Sequence, residues 1–128
     1  MFSRTLLATH RLFTTTAKQP TIKELVESAI SENPVTVFSK TTCPFCTATK
    51  SLFSNKFPNV PVKVLELDLR EDGPAIQAYL AQKTGQQTVP NVFVIHVHRH
   101  IFHSTVSLGN DSSQAAYQSG RLLNMLKE

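Results

Sequence analysis

Cys43 and Cys46 are the only cysteines in the chain, and the run Cys43-Pro44-Phe45-Cys46 spaces their thiols so that they can close a small disulfide ring. The pair follows a short β-branched and aromatic stretch, Val35-Thr36-Val37-Phe38. Pro44 suits the first position of a helix, which would set Cys43 at the helix N-terminus. Unpaired N–H groups and the macrodipole favour a thiolate there, and only the thiolate attacks a disulfide. Cys46, one turn further in, has less help from the dipole and should be more buried. Position therefore predicts that Cys43 attacks and Cys46 resolves. Lys40, just upstream, adds a positive charge that could stabilise the thiolate or hold an anion. Without the neighbouring motif it would be an ordinary solvated lysine.

Other chemistries compete for the pair. One CxxC is half of a zinc site, and the chain has no second CxxC to complete it. A structural disulfide suits a secreted protein, whereas the N-terminal segment points to an intracellular or mitochondrial setting. A lone CxxC beside a βαβ pattern is read as redox-active.

The elements that must position the thiols are legible in outline. Thr21-Ile22-Lys23-Glu24 has the form of a capping box, and Ile22, Leu25, Val26, Ala29 and Ile30 follow at helical spacing. Asn33-Pro34 ends that helix. Val35 to Phe38 reads as a buried strand, Pro44 to about Phe53 as a helix, and Val60 to Leu67 as a second strand. Asp72-Gly73-Pro74 starts a helix that Gly85 closes. Asn91 to about Val97 is a third strand, followed by a less regular one. A closing helix runs from Asp111 or Ser112 to about Leu126, with Ala115, Ala116, Leu122, Leu123 and Leu126 inward. Strands separated by helices imply parallel pairing, with a ligand site beyond their carboxyl ends, where the cysteines sit. With 128 residues and neither repeats nor low-complexity linkers, one domain over residues 20–128 is expected.

Residues 1–19 carry Arg4, Arg11 and Lys18 and no acid, so they hold most of the net charge of +4. As a helix they would gather Phe2, Leu6 and Phe13 on one side, which is the composition of a mitochondrial transit peptide; a disordered basic tail is the alternative. Arg11-Leu12-Phe13 resembles a matrix-peptidase site. The expected location is the mitochondrial matrix, with a cytoplasmic pool as well. Concentration of charge in this tail, and the lack of a basic stripe interleaved with aromatics, argue against nucleic acid as a partner. No apolar stretch approaches the length of a membrane span.

Ser39-Lys40-Thr41-Thr42-Cys43-Pro44-Phe45-Cys46, followed by Thr88-Val89-Pro90-Asn91-Val92-Phe93, resembles a dithiol glutaredoxin. The similarity is to fungal-type members with a CPYC-like site; it runs from about Thr21 to Val94 and resumes at Gly109. Thioredoxin, which shares the fold, is a poorer match: there is no tryptophan, and Pro44-Phe45 replaces Gly-Pro. The resemblance implies a thioredoxin-like α/β fold, a mixed central sheet of about four strands flanked by helices. It further implies glutathione as cosubstrate, no tightly bound cofactor, and a monomer acting on glutathionylated or disulfide-containing proteins.

By the same resemblance Pro90 is a cis-proline that turns the Val89 backbone toward Cys43, with Thr88 alongside. Lys40, assisted by Gln77, meets the glycyl carboxylate. Phe45 stands where the family usually has tyrosine, and Gln87 where many relatives have arginine. Gly109, Asn110 and Asp111 hold the γ-glutamyl end. The alternative is a [2Fe–2S] carrier that bridges two protomers through the first cysteine and glutathione. Colour after anaerobic purification separates the two, a cluster carrier being brown.

Residues 95–108 depart from that pattern. They form an atypical insertion, implying an extended β3–β4 hairpin, and Leu108 stands where the family has the first glycine of a Gly-Gly turn. Translated intron sequence is the leading explanation for the extra length, and a relative impaired in glutathione binding is a further alternative. His96, His98, His100 and His103 also lie in this stretch. At period two, His96, His98 and His100 would share a strand face, but no cysteine or carboxylate there completes a metal site, so none is expected.

Overall fold

The computed structural model describes residues 18–98 and 102–126. Nearly all of the segment read as a transit peptide, together with His100, lies outside the described residues. Helix α1 (Ile22–Ser31) starts with the expected capping box: the Glu24 N–H donates to the Thr21 hydroxyl at 3.1 Å, and the Thr21 N–H donates to the Glu24 carboxylate at 3.2 Å. At its other end the Ala29 carbonyl accepts from the Asn33 amide at 2.7 Å and from the Thr36 hydroxyl at 2.9 Å. Those side chains satisfy a carbonyl that the helix end leaves open.

Strand β1 (Val35–Ser39) is buried along its whole length. Helix α2 (Pro44–Lys56) connects it to β2 (Val62–Glu66), which runs parallel to β1 with Val35 beside Val62. After a 3₁₀ turn (Leu67–Leu69) and helix α3 (Gly73–Thr84), strand β3 (Asn91–His98) pairs with β1 and β4 (Phe102–Leu108) pairs with β3. The order β2-β1-β3-β4 is a four-stranded mixed sheet, the thioredoxin-like arrangement. Alternation of strands and helices by itself implies parallel pairing; β3 instead runs antiparallel to β1, which makes the sheet mixed, as the family resemblance implies. The cause is where the chain enters it. The Val89-Pro90 turn delivers Asn91 beside Phe38, near the end of β1, so β3 has only the return direction open.

The two faces of the sheet follow the period-two alternation of β1 and β3. Val35, Val37, Val92 and Val94 meet Leu52 and Phe53 of α2, with Ala116, Leu122 and Met125 behind them. Phe38 and Phe93 face the other way, edge to face at 5.7 Å, and pack on Val26, Ile30, Ile76 and Leu80. Leu108 pairs with Val92, is 6% exposed and belongs to the first of these cores. The hairpin it ends is extended as expected, with β3 and β4 paired in register from Val92–Leu108 out to His98–Phe102.

The closing helix is two helices, α4 (Asn110–Gln118) and α5 (Arg121–Leu126). Gly120 stands between them at φ 79°, a left-handed conformation that L side chains rarely adopt. The restart resets the helical phase. Met125 joins Leu122 in the core, while Ala115 and Leu123, expected to face inward, are exposed. Among the described residues no helix is long and apolar enough to cross a membrane.

Candidate active site

Cys43 is the N-cap of α2 and Pro44 its first residue, as the local pattern predicts. The Cys46 N–H donates to Cys43 Sγ at 3.3 Å, and the Cys43 thiol lies 3.8 Å from the Val89 carbonyl oxygen. The loop leading into the cap is tied down from across the sheet. Thr41 donates its N–H to Asp68 Oδ1 at 3.1 Å and its hydroxyl to Asp68 Oδ2. These two bonds from Thr41, with a further contribution from the Lys40 charge, hold the Asp68 carboxyl below the usual range.

The two thiols are free and differ in environment. Partial burial works against ionisation of Cys43. Hydrogen bonds from the Cys46 thiol and from the N–H groups of Cys46 and Phe45 outweigh it, with Lys40 adding to them. The net effect holds the Cys43 thiol below its ordinary range. Cys46 is 0% exposed, and burial pushes its thiol up; the Lys40 N–H at 3.5 Å offsets only part of this. One thiol is therefore prepared to act as a nucleophile and the other is held protonated behind it. Alkylation followed by peptide mapping reads this directly. Cys43 should label at pH values where a free thiol is still protonated, its rate falling as pH drops through its lowered pKa. Cys46 should stay unlabelled until well above that range. A Cys43 profile at or above that of free cysteine contradicts the geometry.

Beside the thiols lies an open groove of about 450 Å³. Phe45, Thr88, Val89, Pro90, Gly109, Asn110 and Asp111 line it together. Phe45, 60% exposed, forms an apolar wall, and the Val89–Pro90 bond is cis. At the far side α4 opens from Gly109 with no side-chain cap, so its first N–H groups lack intrahelical partners. Gly109 itself is extended at φ −86°, and a Cβ there would make only an ordinary contact with Gln86 at 3.5 Å. Nothing in the turn demands glycine, and Leu108 points into the core and is not part of the groove wall.

Lys40 and Gln77 are not part of that wall. Lys40 sits in the loop before Cys43, and Gln77 on α3 donates its amide to the Gln87 carbonyl at 2.8 Å. Two groove residues escaped sequence reasoning, Gln86 and Ser112. The Gln86 amide nitrogen donates to the carbonyls of Thr88 at 2.8 Å and Pro90 at 2.7 Å, bracing both sides of the cis bond. Its one sequence signal is a two-donor amide placed between a helix-ending glycine and a proline turn. Among the described residues no group of three or more His, Cys, Asp or Glu is placed to hold a metal ion. The histidine side chains of the β3–β4 hairpin fall outside what is described.

A mixed four-stranded sheet, a CxxC pair capping a helix and a cis-proline beside it define a thioredoxin-fold dithiol protein. The glutaredoxin family model matches residues 35–99. Glutaredoxin-2 of Schizosaccharomyces pombe is 44% identical over 106 residues, covering 83% of this chain and 87% of that protein. A glutaredoxin of Solanum lycopersicum is 46% identical over 99 residues, 77% of this chain and 82% of the relative. Among solved structures, the holo form of glutaredoxin C1 from Populus tremula x tremuloides superposes with a TM-score of 0.69 at 35% identity, covering 83% of this chain and 94% of that one. The buckwheat glutaredoxin–glutathione complex gives 0.66 at 38% identity, over 84% and 94%. The chain belongs to the glutaredoxin family and is a thiol–disulfide oxidoreductase.

Proposed function

We propose that the protein reduces protein–glutathione mixed disulfides, and protein disulfides, with glutathione as the electron donor and with no resident cofactor. The observation that carries this reading is the Cys43 thiol, at the cap of α2 with its pKa lowered, beside the groove that Val89, Pro90 and the start of α4 enclose. The glutathione bound in the buckwheat relative supports it.

The reaction is thiol–disulfide exchange. The Cys43 thiolate attacks the glutathionyl sulfur of the mixed disulfide, and the substrate sulfur leaves as a thiolate that takes up a proton. A second glutathione, as thiolate, then attacks the sulfur of the glutathione held on Cys43. Glutathione disulfide forms and the Cys43 thiolate is regenerated. When the substrate is a protein disulfide, the Cys43 thiolate attacks one of its sulfurs and the other leaves as a thiolate; Cys46 then loses its proton and attacks the Cys43 sulfur, closing the Cys43–Cys46 disulfide and expelling the reduced substrate. Two glutathiones reopen that disulfide by the same exchange and leave as glutathione disulfide.

In this reading the Val89 backbone pairs with the cysteinyl part of glutathione, while Phe45 and Thr88 flank it. Lys40 and Gln77 take the glycyl carboxylate. Gly109, Asn110 and Asp111 receive the γ-glutamyl end, where open N–H groups of a helix start suit a carboxylate. The protein acts as a monomer, and the acid-free, arginine-bearing segment 1–19 takes it to the mitochondrial matrix with a cytoplasmic pool besides. The test is turnover of a glutathionylated peptide with glutathione and glutathione reductase supplying electrons, which should proceed to completion. Turnover driven by thioredoxin reductase and not by glutathione overturns the proposal.

A further inference from the structure

Thr49 lies on α2 one turn beyond Cys46 and is 0% exposed. Its hydroxyl donates to Asn110 Oδ1 at 2.8 Å, and among the described residues it has no other side-chain partner. Gln114 Nε2 approaches the same oxygen at 3.4 Å. Both contacts meet the oxygen end of the Asn110 amide, and the shorter one, from the buried Thr49 hydroxyl, sets its orientation. Were the amide turned over, its N–H would point at Thr49 and the buried Thr49 proton would lose the one side-chain acceptor it has among the described residues, whereas Gln114 could turn its own amide to follow. An unpaired buried hydroxyl is costly, so the observed orientation wins. The other end of the amide, Nδ2, is then 3.5 Å from Asp111 Oδ1. Asn110 and Asp111 both line the groove. They therefore offer a neutral N–H donor next to a carboxylate acceptor.

We propose that Thr49 is a positioning residue for substrate selection: it holds the Asn110 amide with its N–H end toward the groove, so that Asn110 and Asp111 together recognise a substrate end carrying a carboxylate and an ammonium side by side. This rests on the glutathione reading above, in which that end is the γ-glutamyl group. Asn110 donates to the carboxylate and Asp111 accepts from the ammonium. Thr49 touches neither. It acts through the amide it orients.

The test uses the full chain and one peptide carried as two mixed disulfides, with glutathione or with N-acetyl-cysteinylglycine. The second keeps the cysteinyl and glycyl parts and lacks the γ-glutamyl end. The readout is the ratio of kcat/KM for the two. The parent should favour the glutathionylated peptide. Thr49→Val should lower the ratio about tenfold, chiefly through KM, the scale of one charge-assisted hydrogen bond. Thr49→Ser, which keeps the hydroxyl, should restore it. Asn110→Asp leaves the buried position intact and returns an acceptor to the groove, so it should also lower the ratio. An unchanged ratio in Asn110→Asp or in Thr49→Val overturns the inference, as does an equal fall in Thr49→Ser. A parent that does not distinguish the two peptides overturns the glutathione reading itself, and this inference with it.

Discussion

Cys43→Ser should abolish turnover of a glutathionylated peptide, by about a thousandfold or more, while Cys46→Ser should keep activity within about tenfold of the parent. A serine hydroxyl does not ionise near neutral pH, so it cannot replace a thiolate. It remains a good helix cap, so Cys43→Ser removes the chemistry while preserving the start of α2. Cys46 is buried behind the nucleophile, and clearance of glutathione from Cys43 by a second glutathione does not use it. Cys46→Ala, unlike Cys46→Ser, leaves no side-chain donor and so removes one of the hydrogen bonds that hold the Cys43 pKa down. The Cys43 pKa in Cys46→Ala therefore rises toward its ordinary value, and the acid limb of the pH–rate profile moves to higher pH. The backbone N–H of residue 46 still donates to Cys43 Sγ, so the shift is partial. Steady-state assays of the parent, Cys46→Ser and Cys46→Ala from pH 5 to 9, with Cys43→Ser beside them, decide both points. Equal loss in Cys43→Ser and Cys46→Ser would mean that turnover needs the dithiol at every step.

Gly73→Ala is expected to be the most damaging conservative change outside the thiols. Gly73 is buried at the first position of α3. A Cβ there would collide with the Leu67 carbonyl oxygen and lie 2.8 Å from the Leu67 carbonyl carbon. Those are backbone atoms, with no flexible side-chain end to move aside, so the 3₁₀ turn or the start of α3 must shift. Overpacking of this kind costs about 1–3 kcal/mol, and the backbone contact puts it at the upper end. For a domain of this size each kcal/mol lowers Tm by about 4 °C. The damage should reach the site, because Asp68, next to Leu67, anchors the Thr41 loop that leads into Cys43. Gly109→Ala is the control for stability, since its Cβ meets only the Gln86 side chain at ordinary contact distance. Thermal unfolding of the two variants should separate them clearly. Equal midpoints would contradict the close approach of Leu67.

What could be read from the chain and what could not divides along the distance between interacting residues. The capping box at Thr21 and Glu24 closes within one helical turn, and so does the Cys43 cap. Residues that must cooperate over three or four positions leave a local signature. The valines of β1 and β3 show their alternation, so both faces of the sheet could be anticipated. The cis-proline was accessible only because Thr88-Val89-Pro90 resembles a family motif; no local rule marks that bond as cis. Gly120 is itself a local stop signal, but the apolar spacing continues on both sides of it and reads as one helix.

Sequence alone determined the reactive pair, the helix that activates it and the alternating core of the sheet, since each depends on neighbours in the chain. Strand alternation alone misreads the direction of β3, which only the family resemblance anticipates. Only the tertiary structure decided the Asp68 anchor 27 residues from Thr41 and the Thr49–Asn110 bond across 61 residues. It also decided that Leu108 goes into the core and leaves the groove open. The reason is physical. A hydrogen bond between distant segments exists only where the packed sheet brings their ends together, and a groove is the space left between such ends.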